Sequence, residues 1–179
     1  MLGVVFTEFI EMVEEKFSYD TADQIIENSG VGINSGFTAV ENYDHADLVK
    51  LIGALRNVTG IEVDQLIRQF GEHLFFRFTV SYPELFDGEK SSLDFLEGVE
   101  GYIHVEVKKL YPHAELPQFD CVRHSKTCLE MNYKSLRPFG DLAHGLITGC
   151  GGYFGEKLEI QRISKNGLTE VKFTINQLD

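Results

Sequence analysis

Two different periodicities of apolar residues divide the chain. In roughly the first hundred residues the apolar positions recur at helical spacing, which predicts buried stripes on α-helices. Clear stripes run over Val5–Phe17, Leu48–Leu55 and Val63–Phe70. After Pro117 the apolar residues alternate with polar ones, as in a strand that buries one face. Helices first and strands later predict an α+β fold with an antiparallel sheet.

Polar residues and glycines predict where the helices begin and end. The predicted N-caps are Thr21 (paired with Gln24), Asp44, Thr59 (paired with Glu62) and Ser91 or Ser92. Gly30 predicts the end of the second helix, and Pro112 closes a long helix that runs from Ser91 or Ser92 to about Tyr111. The aromatic stretch 74–82 fits a helix and a strand equally well.

The C-terminal part contains the predicted strands. One strand covers Thr127–Arg137 and ends before Pro138. A short helix follows over Phe139–Thr148, and we expect the glycines at 149, 151 and 152 to break it. Leu158–Ile163 and Leu168–Ile175 flank Asn166-Gly167, a strong short-range signal for a β-hairpin.

The composition predicts one domain and excludes some partners. With 179 residues and 43% hydrophobic positions, residues 1–179 form a single domain, with a helical lobe over about 1–65 and an α/β lobe over about 66–179. The formal net charge of -12 repels phosphates, so nucleic acids and anionic membranes are poor partners. The sequence contains neither a long apolar run nor a signal-peptide pattern, and its 3 cysteines are too few for a disulfide scaffold. We therefore expect a cytoplasmic protein.

His104 is a candidate metal ligand on the predicted helix that ends at Tyr111. It falls just outside the apolar stripe, where an imidazole can enter a half-buried crevice. Gly101, one turn earlier, leaves room for a flat cofactor. A boundary histidine satisfied by its neighbours is the alternative, and position alone leaves both interpretations open.

Tyr133, Ser135 and Arg137 place three hydrogen-bond donors on one face of the predicted strand. Two hydroxyls and a guanidinium that point the same way can bind carboxylates. Leu129 and Met131 continue this face, so it changes from apolar to polar along the strand. A ligand with an apolar body and anionic tails, such as haem with its two propionates, suits that gradient. An exposed polar strand face is the alternative.

With these residues the chain resembles the bacterial H-NOX (haem nitric oxide/oxygen-binding) domains, relatives of the haem domain of soluble guanylate cyclase. The resemblance covers nearly the whole chain and rests on three features. They are His104 within Gly-Tyr-Ile-His-Val, Pro117, and Tyr133-x-Ser135-x-Arg137. It implies haem b between the two lobes, with His104 as the proximal iron ligand and Pro117 against the porphyrin. It also implies that the Tyr/Ser/Arg trio holds the propionates.

The resemblance also implies a set of pocket residues, namely Val5, Phe9, Phe78, Leu142 and Leu146. Oxygen-binding members of the family carry a distal tyrosine, and its position here is occupied by Leu142. Residues 139–147 contain no tyrosine, and His144 should point away from Leu142 on the helix. An apolar pocket disfavours O2 but accepts NO and CO. The resemblance is closest to the stand-alone proteobacterial NO sensors.

No motif for a catalytic nucleophile, a nucleotide or covalent haem attachment occurs, so we expect a sensor without intrinsic catalysis. A separate histidine kinase, or a cyclic-di-GMP enzyme, is the expected partner, regulated when NO releases the bond between His104 and iron. The alternatives are an O2 sensor or carrier, and a zinc- and thiol-dependent redox module.

Cys121, His124, Cys128 and Cys150 form a second candidate metal site. Three thiolates and one imidazole are a set suited to tetrahedral Zn²⁺, and these are all the cysteines of the chain. Some proteobacterial members of the family resemble this pattern and carry zinc there. Unrelated free thiols beside a surface histidine, or a disulfide between Cys121 and Cys128, are the other interpretations.

Overall fold

Helices form the N-terminal part of the chain, and a four-stranded antiparallel sheet forms most of the C-terminal part. The computed structural model of the protein describes residues 1–31, 36–88 and 91–178. The helices are α1 (Gly3–Lys16), α2 (Tyr19–Ser29), α3 (His45–Thr59), α4 (Val63–Ser81), α5 (Ser92–Gly98), α6 (His104–Leu110) and α7 (Gly140–Phe154), with a 3₁₀ turn at Pro83–Leu85 and a π-helix at Val99–Ile103. The strands are β1 (Gln118–Ser125), β2 (Cys128–Lys134), β3 (Lys157–Lys165) and β4 (Glu170–Leu178). The predicted α+β class is confirmed.

Side-chain caps begin several of the helices, and two of the predicted caps are confirmed. Asp44 accepts a hydrogen bond from the amide of Ala46, and Ser91 accepts one from the amide of Asp94. The prediction of Thr21 was wrong, because Ser18 caps α2 and Thr21 supplies the amide that this cap accepts. The extended backbone of Ser18 is what a capping residue requires.

The predicted capping box at Thr59 was also wrong. Thr59 is the last residue of α3, and its hydroxyl donates to the carbonyl of Leu55. Gly60 follows with a φ of 71°, a left-handed conformation that ends a helix. The stretch 74–82, which periodicity left open, is helical as far as Ser81.

The long helix predicted up to Tyr111 is interrupted by the π-helix at Val99–Ile103, where the amide of His104 donates to the carbonyl of Val99. A π-helical turn changes the phase of the residues that follow it. As a result Leu110, which regular α-helical spacing from Leu96 would place on the same face as that residue, is 55% exposed.

The strands lie in the order β1-β2-β4-β3, and every neighbouring pair is antiparallel. The predicted hairpin is confirmed as β3 and β4, with positive φ angles at Asn166 and Gly167. The sequence of strand β1 shows no clear alternation of apolar and polar residues. One of its inward positions is Arg123, and one of its outward positions is Val122, which is 45% exposed. Those two residues obscure the alternation.

The glycines at 149, 151 and 152 do not end α7, contrary to the prediction, and Gly155, whose φ is 69°, ends the helix instead. The helix continues through Gly149 and Gly151 to Phe154. A Cβ atom on Gly149 would lie 2.8 Å from the Cβ of Phe75, and one on Gly151 would lie 2.8 Å from Cδ1 of Leu158. These glycines therefore allow close packing of α7 against α4 and β3.

The chain divides into two compact units, Met1–Phe70 and the residues from Gly71 onward. The first unit buries one stripe of each helix, including Phe6, Phe9, Met12, Ile25, Leu48, Leu51, Leu55 and Phe70. The core of the second unit lies between its helices and the sheet and includes Phe75, Leu93, Phe95, Leu129, Met131, Ile147, Val171 and Phe173. Among the described residues, no helix has both the length and the apolar character of a membrane span.

Candidate functional site

His104 begins α6 directly after the π-helix, and its side chain is only 12% exposed. Its Nδ1 atom lies 3.0 Å from Oε2 of Glu100. An ionised carboxylate can only accept hydrogen bonds, so Nδ1 is the donor and carries the ring proton. Nε2 of the neutral ring then has a lone pair for a metal ion.

The surroundings of His104 favour the neutral imidazole. Burial lowers the pKa of His104, and the hydrogen bond and charge of Glu100, which act in the opposite direction, do not cancel this effect. A neutral ring is the form that binds a metal ion. Burial and tautomer therefore both fit His104 as an axial ligand.

Phe119 joins His104 to the polar trio, although sequence reasoning did not single it out. Its ring centroid lies 5.7 Å from that of His104 and 5.6 Å from that of Tyr133. Its amide also donates to Oε2 of Glu100 at 3.0 Å. The only sequence signal for Phe119 was an apolar residue shortly after Pro117.

Tyr133, Ser135 and Arg137 lie close together, but not as one strand face. β2 ends at Lys134, so Ser135 and Arg137 belong to the loop that leads into α7. Lys134 pairs with Glu170, the first residue of β4, so the ladder between these two strands stops there. The tyrosine hydroxyl donates to the carbonyl of Arg137 at 3.3 Å, and the amide of Arg137 donates to Oγ of Ser135 at 3.1 Å.

Arg137 already binds a carboxylate in this structure. Its guanidinium, 15% exposed, pairs with the carboxylate of Glu115, which is 67% exposed, and also donates to the carbonyl of Glu115 at 3.1 Å. The guanidinium of Arg137 is therefore accessible to a carboxylate from outside its own strand and loop. Glu115 was not predicted, because it lies far from Arg137 in sequence.

The hydroxyl of Tyr133 remains a hydrogen-bond donor. Burial raises the pKa of Tyr133, and the hydrogen bond with Ser135 and the charge of Arg137 offset this rise only in part. The phenol is therefore protonated near neutral pH. A protonated phenol, a serine hydroxyl and a guanidinium are a donor set suited to carboxylates.

The remaining predicted pocket residues are distributed over both units. Pro117 is half-buried immediately before β1, Phe78 packs against Tyr82 at 6.1 Å between ring centroids, and Leu142 and Leu146 are half-buried on α7. Val5 and Phe9 belong to the first unit, where Phe9 is fully buried and meets Phe70 edge-on at 5.2 Å. The ring of His144 lies 6.1 Å from that of Phe173 on the sheet.

These residues fit the haem that the resemblance implies. The second unit provides a largely buried neutral imidazole with Nδ1 already bonded, and a donor cluster whose arginine already donates to a carboxylate. Those are the two kinds of group that an iron porphyrin with propionate tails requires.

The predicted zinc site is not supported. Among the described residues, no group of three His, Cys, Asp or Glu side chains could hold a metal ion. The thiol of Cys121 faces the carbonyl of Leu96 at 3.9 Å, that of Cys150 faces the carbonyl of Ser92 at 3.7 Å, and His124 lies 3.6 Å from the carboxylate of Glu130. The side chains of Cys121, His124, Cys128 and Cys150 therefore do not form one ligand set.

The protonation state of the thiols is a physical reason why these cysteines do not favour zinc. Burial raises the pKa of Cys121 to about 11, and burial also raises the pKa of Cys150. Zinc is bound by thiolates, and these environments favour the neutral thiol. All three cysteines are free.

Comparison with known proteins identifies close relatives. A sequence model of the family described as haem-NO-binding matches residues 2–162. The solved Fe(II) unliganded H-NOX protein from K. algicida is 35% identical, with a TM-score of 0.92 over 100% of this chain and 97% of that one. The H-NOX from Shewanella woodyi, solved in its Fe(II)CO state with IWP-051 bound, is 38% identical, with a TM-score of 0.85 over 99% of this chain and 95% of that one.

A curated eukaryotic protein is similar as well. The soluble guanylate cyclase gcy-31 of Caenorhabditis elegans is 26% identical over 140 residues, which are 76% of this chain. The chain spans only 20% of the length of that protein.

Proposed function

This chain belongs to the haem-NO-binding (H-NOX) family of haem-binding gas-sensor domains, and from that premise we propose that it senses NO, binds CO, and does not bind O2. The observation that carries the proposal is the buried His104, whose Nδ1 is bonded to Glu100 at 3.0 Å. Its Nε2 is the atom that would bind iron.

The residues that would hold the cofactor divide into two groups. His104 would bind iron, while Tyr133, Ser135 and Arg137 would receive the propionates and Pro117 would contact the porphyrin. Ferrous haem, when bound, would supply an iron that binds diatomic gases. The protonated phenol of Tyr133 and the charge of Arg137 would then neutralise the propionate carboxylates.

The proposed choice of gas rests on the polarity of two residues of α7. Leu142 and Leu146 carry no hydrogen-bond donor in their side chains. O2 needs such a donor, whereas NO and CO do not. The S. woodyi relative was solved in its Fe(II)CO state, which supports CO as a ligand.

The output would pass through the segment that carries His104. If NO binding to the haem released His104, the π-helix and α6 would no longer be held by the cofactor. A separate signalling protein, a histidine kinase or alternatively a cyclic-di-GMP enzyme, would respond to that change of state.

Absorption spectroscopy of the reduced, haem-loaded protein tests the proposal. We expect no reversible change on brief exposure to air, a spectral change with CO, and a blue-shifted Soret band with NO, as loss of the histidine ligand requires. A stable, reversible spectrum in air would identify an O2 sensor or carrier instead. Absence of a Soret band after reconstitution with haem would reject the haem site altogether.

The variant His104→Gly separates the ligand from the remaining pocket. Its ferrous protein should regain the spectrum of the wild type when imidazole is added, because free imidazole can replace the missing side chain. Failure of imidazole to change the spectrum would mean that His104 is not the iron ligand.

A further inference from the structure

We propose that Glu100 is a positioning residue with two functions. It fixes the tautomer of His104, and it ties the histidine to the edge strand β1. This inference rests on the proposed role of His104 as iron ligand. It adds that a change in the position of His104 is transmitted to strand β1 through the carboxylate of Glu100.

One oxygen of Glu100 receives both hydrogen bonds. Oε2 accepts from Nδ1 of His104 and from the backbone amide of Phe119, each at 3.0 Å. Hydrogen-bonded or charged side-chain pairs four residues apart on a helix are common, but most lie at the surface and contribute little to stability. This pair differs because the imidazole is only 12% exposed and the second donor comes from another element of the fold.

The first consequence concerns the histidine ring. A carboxylate at Nδ1 keeps the proton on that atom and directs the lone pair of Nε2 away from Glu100. Such a partner also makes the ring a stronger electron donor to a metal ion. Glu100 therefore sets both the orientation of His104 and the strength of its bond to iron.

The second consequence concerns the sheet. β1 is an edge strand that pairs only with β2 in the described sheet. Glu100 supplies the acceptor for the amide of Phe119, and the Phe119 ring lies 5.7 Å from His104. A displacement of His104 therefore strains the hydrogen bond between the Phe119 amide and Glu100 at the start of β1.

Glu100 lies in the π-helix, one turn before His104. π-Helical turns are rare and occur frequently at functional sites. The backbone bond from His104 to Val99 and the side-chain bond from His104 to Glu100 span the same turn. The histidine and its carboxylate therefore belong to one segment, which contacts β1 through both the amide and the ring of Phe119.

Two variants of Glu100 and matched variants of Glu106 test this inference on the haem-loaded protein. Glu106 lies on α6, two residues after His104, and pairs with Lys109 at 2.6 Å. Glu100→Gln retains an acceptor and removes the charge, whereas Glu100→Ala removes both. The readouts are the iron–histidine stretching frequency of the ferrous protein by resonance Raman, and amide hydrogen exchange of Phe119 in the diamagnetic CO form by NMR.

We expect the stretching frequency to fall in Glu100→Gln and in Glu100→Ala, because a neutral partner weakens electron donation by the ring. Exchange of the Phe119 amide should accelerate roughly tenfold or more in Glu100→Ala, and less in Glu100→Gln. Glu106→Gln and Glu106→Ala should leave both readouts unchanged.

The possible failures can be distinguished. If the wild type shows an iron–histidine band and the Glu100 variants leave it and the Phe119 exchange unchanged, this inference is wrong while the haem-sensor proposal stands. If the Glu106 variants produce the same changes, the effect belongs to helix stability and not to the Glu100 carboxylate, which also overturns the inference. If the wild type shows no iron–histidine band, the role of His104 and this inference fail together.

Discussion

The carboxylate of Glu115 pairs with the guanidinium of Arg137, a contact between residues on either side of β1 and β2. The two side chains differ in exposure, 67% for Glu115 and 15% for Arg137. The arginine is thus held in place by the protein, while its partner can turn into solvent. A carboxylate from a ligand can replace Glu115 without leaving Arg137 unpaired.

Replacement of Arg137 by glutamine should weaken haem retention. The substitution removes the charge that would pair with a propionate, and hydrogen bonds to charged groups are worth about 1.5–3 kcal/mol. Haem transfer from the variant to apomyoglobin should therefore be roughly tenfold to a hundredfold faster than from the wild type.

Arg123→Gln is the matched control. Arg123 is also only partly exposed and pairs with Asp94 and Glu97, away from the trio. We expect an unchanged rate of haem loss in this control. Equal rates in Arg137→Gln and the wild type would mean that Arg137 does not hold a propionate.

Replacement of Leu142 by tyrosine should give the protein affinity for O2. The added hydroxyl would stand at the position where oxygen-binding relatives have a donor, and ligand choice depends on such donors. Leu142→Phe adds a ring without the hydroxyl. The reversible spectral change in air is therefore expected in Leu142→Tyr alone, and its appearance in Leu142→Phe would contradict the polarity argument.

Gly149→Ala should destabilise the protein by roughly 1–3 kcal/mol, as overpacking of a close contact does. The new methyl group would lie 2.8 Å from Cβ of Phe75 and 3.1 Å from the carbonyl oxygen of Glu72. Gly53→Ala, also inside a helix, meets nothing within 4 Å and should stabilise by about 0.5–1 kcal/mol. Thermal unfolding of both variants measures the difference. A higher melting temperature in Gly149→Ala would show that α4 and α7 separate easily.

The thiol of Cys121 should react slowly at pH 8. Burial raises its pKa from 9.0 to about 11, and only the thiolate is nucleophilic. Iodoacetamide labelling of this residue, followed by peptide mass spectrometry, should accelerate with pH until about pH 11. Labelling at pH 8 as fast as that of the unfolded chain would contradict this environment.

The same shift affects stability. Above pH 9 the unfolded chain releases the Cys121 proton first, while the folded protein retains it up to about pH 11. The free energy of unfolding should therefore fall across this interval. In Cys121→Ser this part of the pH dependence should be absent.

Local patterns predicted much of the fold, and they also singled out the residues that we propose as the site. Asp44 and Ser91 were recognisable as N-caps, and Asn166-Gly167 as a turn, because each depends on neighbouring residues only. The donor trio was also visible in the sequence. The arrangement of the trio was not visible in the sequence, because β2 ends at Lys134. Hydrogen bonds of the following loop, and not the alternation of a strand, bring Ser135 and Arg137 close to Tyr133.

The relationships that were missed depend on contacts between distant segments. Nothing near Glu115 indicates Arg137, and the glycine at 149 predicts a helix end until the packing of Phe75 is known. Glu100 could have been found, because it lies four residues before His104 and such pairs meet on a helix. The second donor to its carboxylate, from Phe119, could not.

The π-helix at Val99–Ile103 also determines the direction in which the residues after it point. A turn closed by a bond over five residues holds one residue more than an α-helical turn. Deleting a single residue here would restore a regular helix and leave α5 and α6 intact, but it would turn His104 by roughly 100° about the axis. A one-residue gap in a sequence alignment at this segment would therefore separate proteins that share every ligand-binding residue but present the imidazole in different directions.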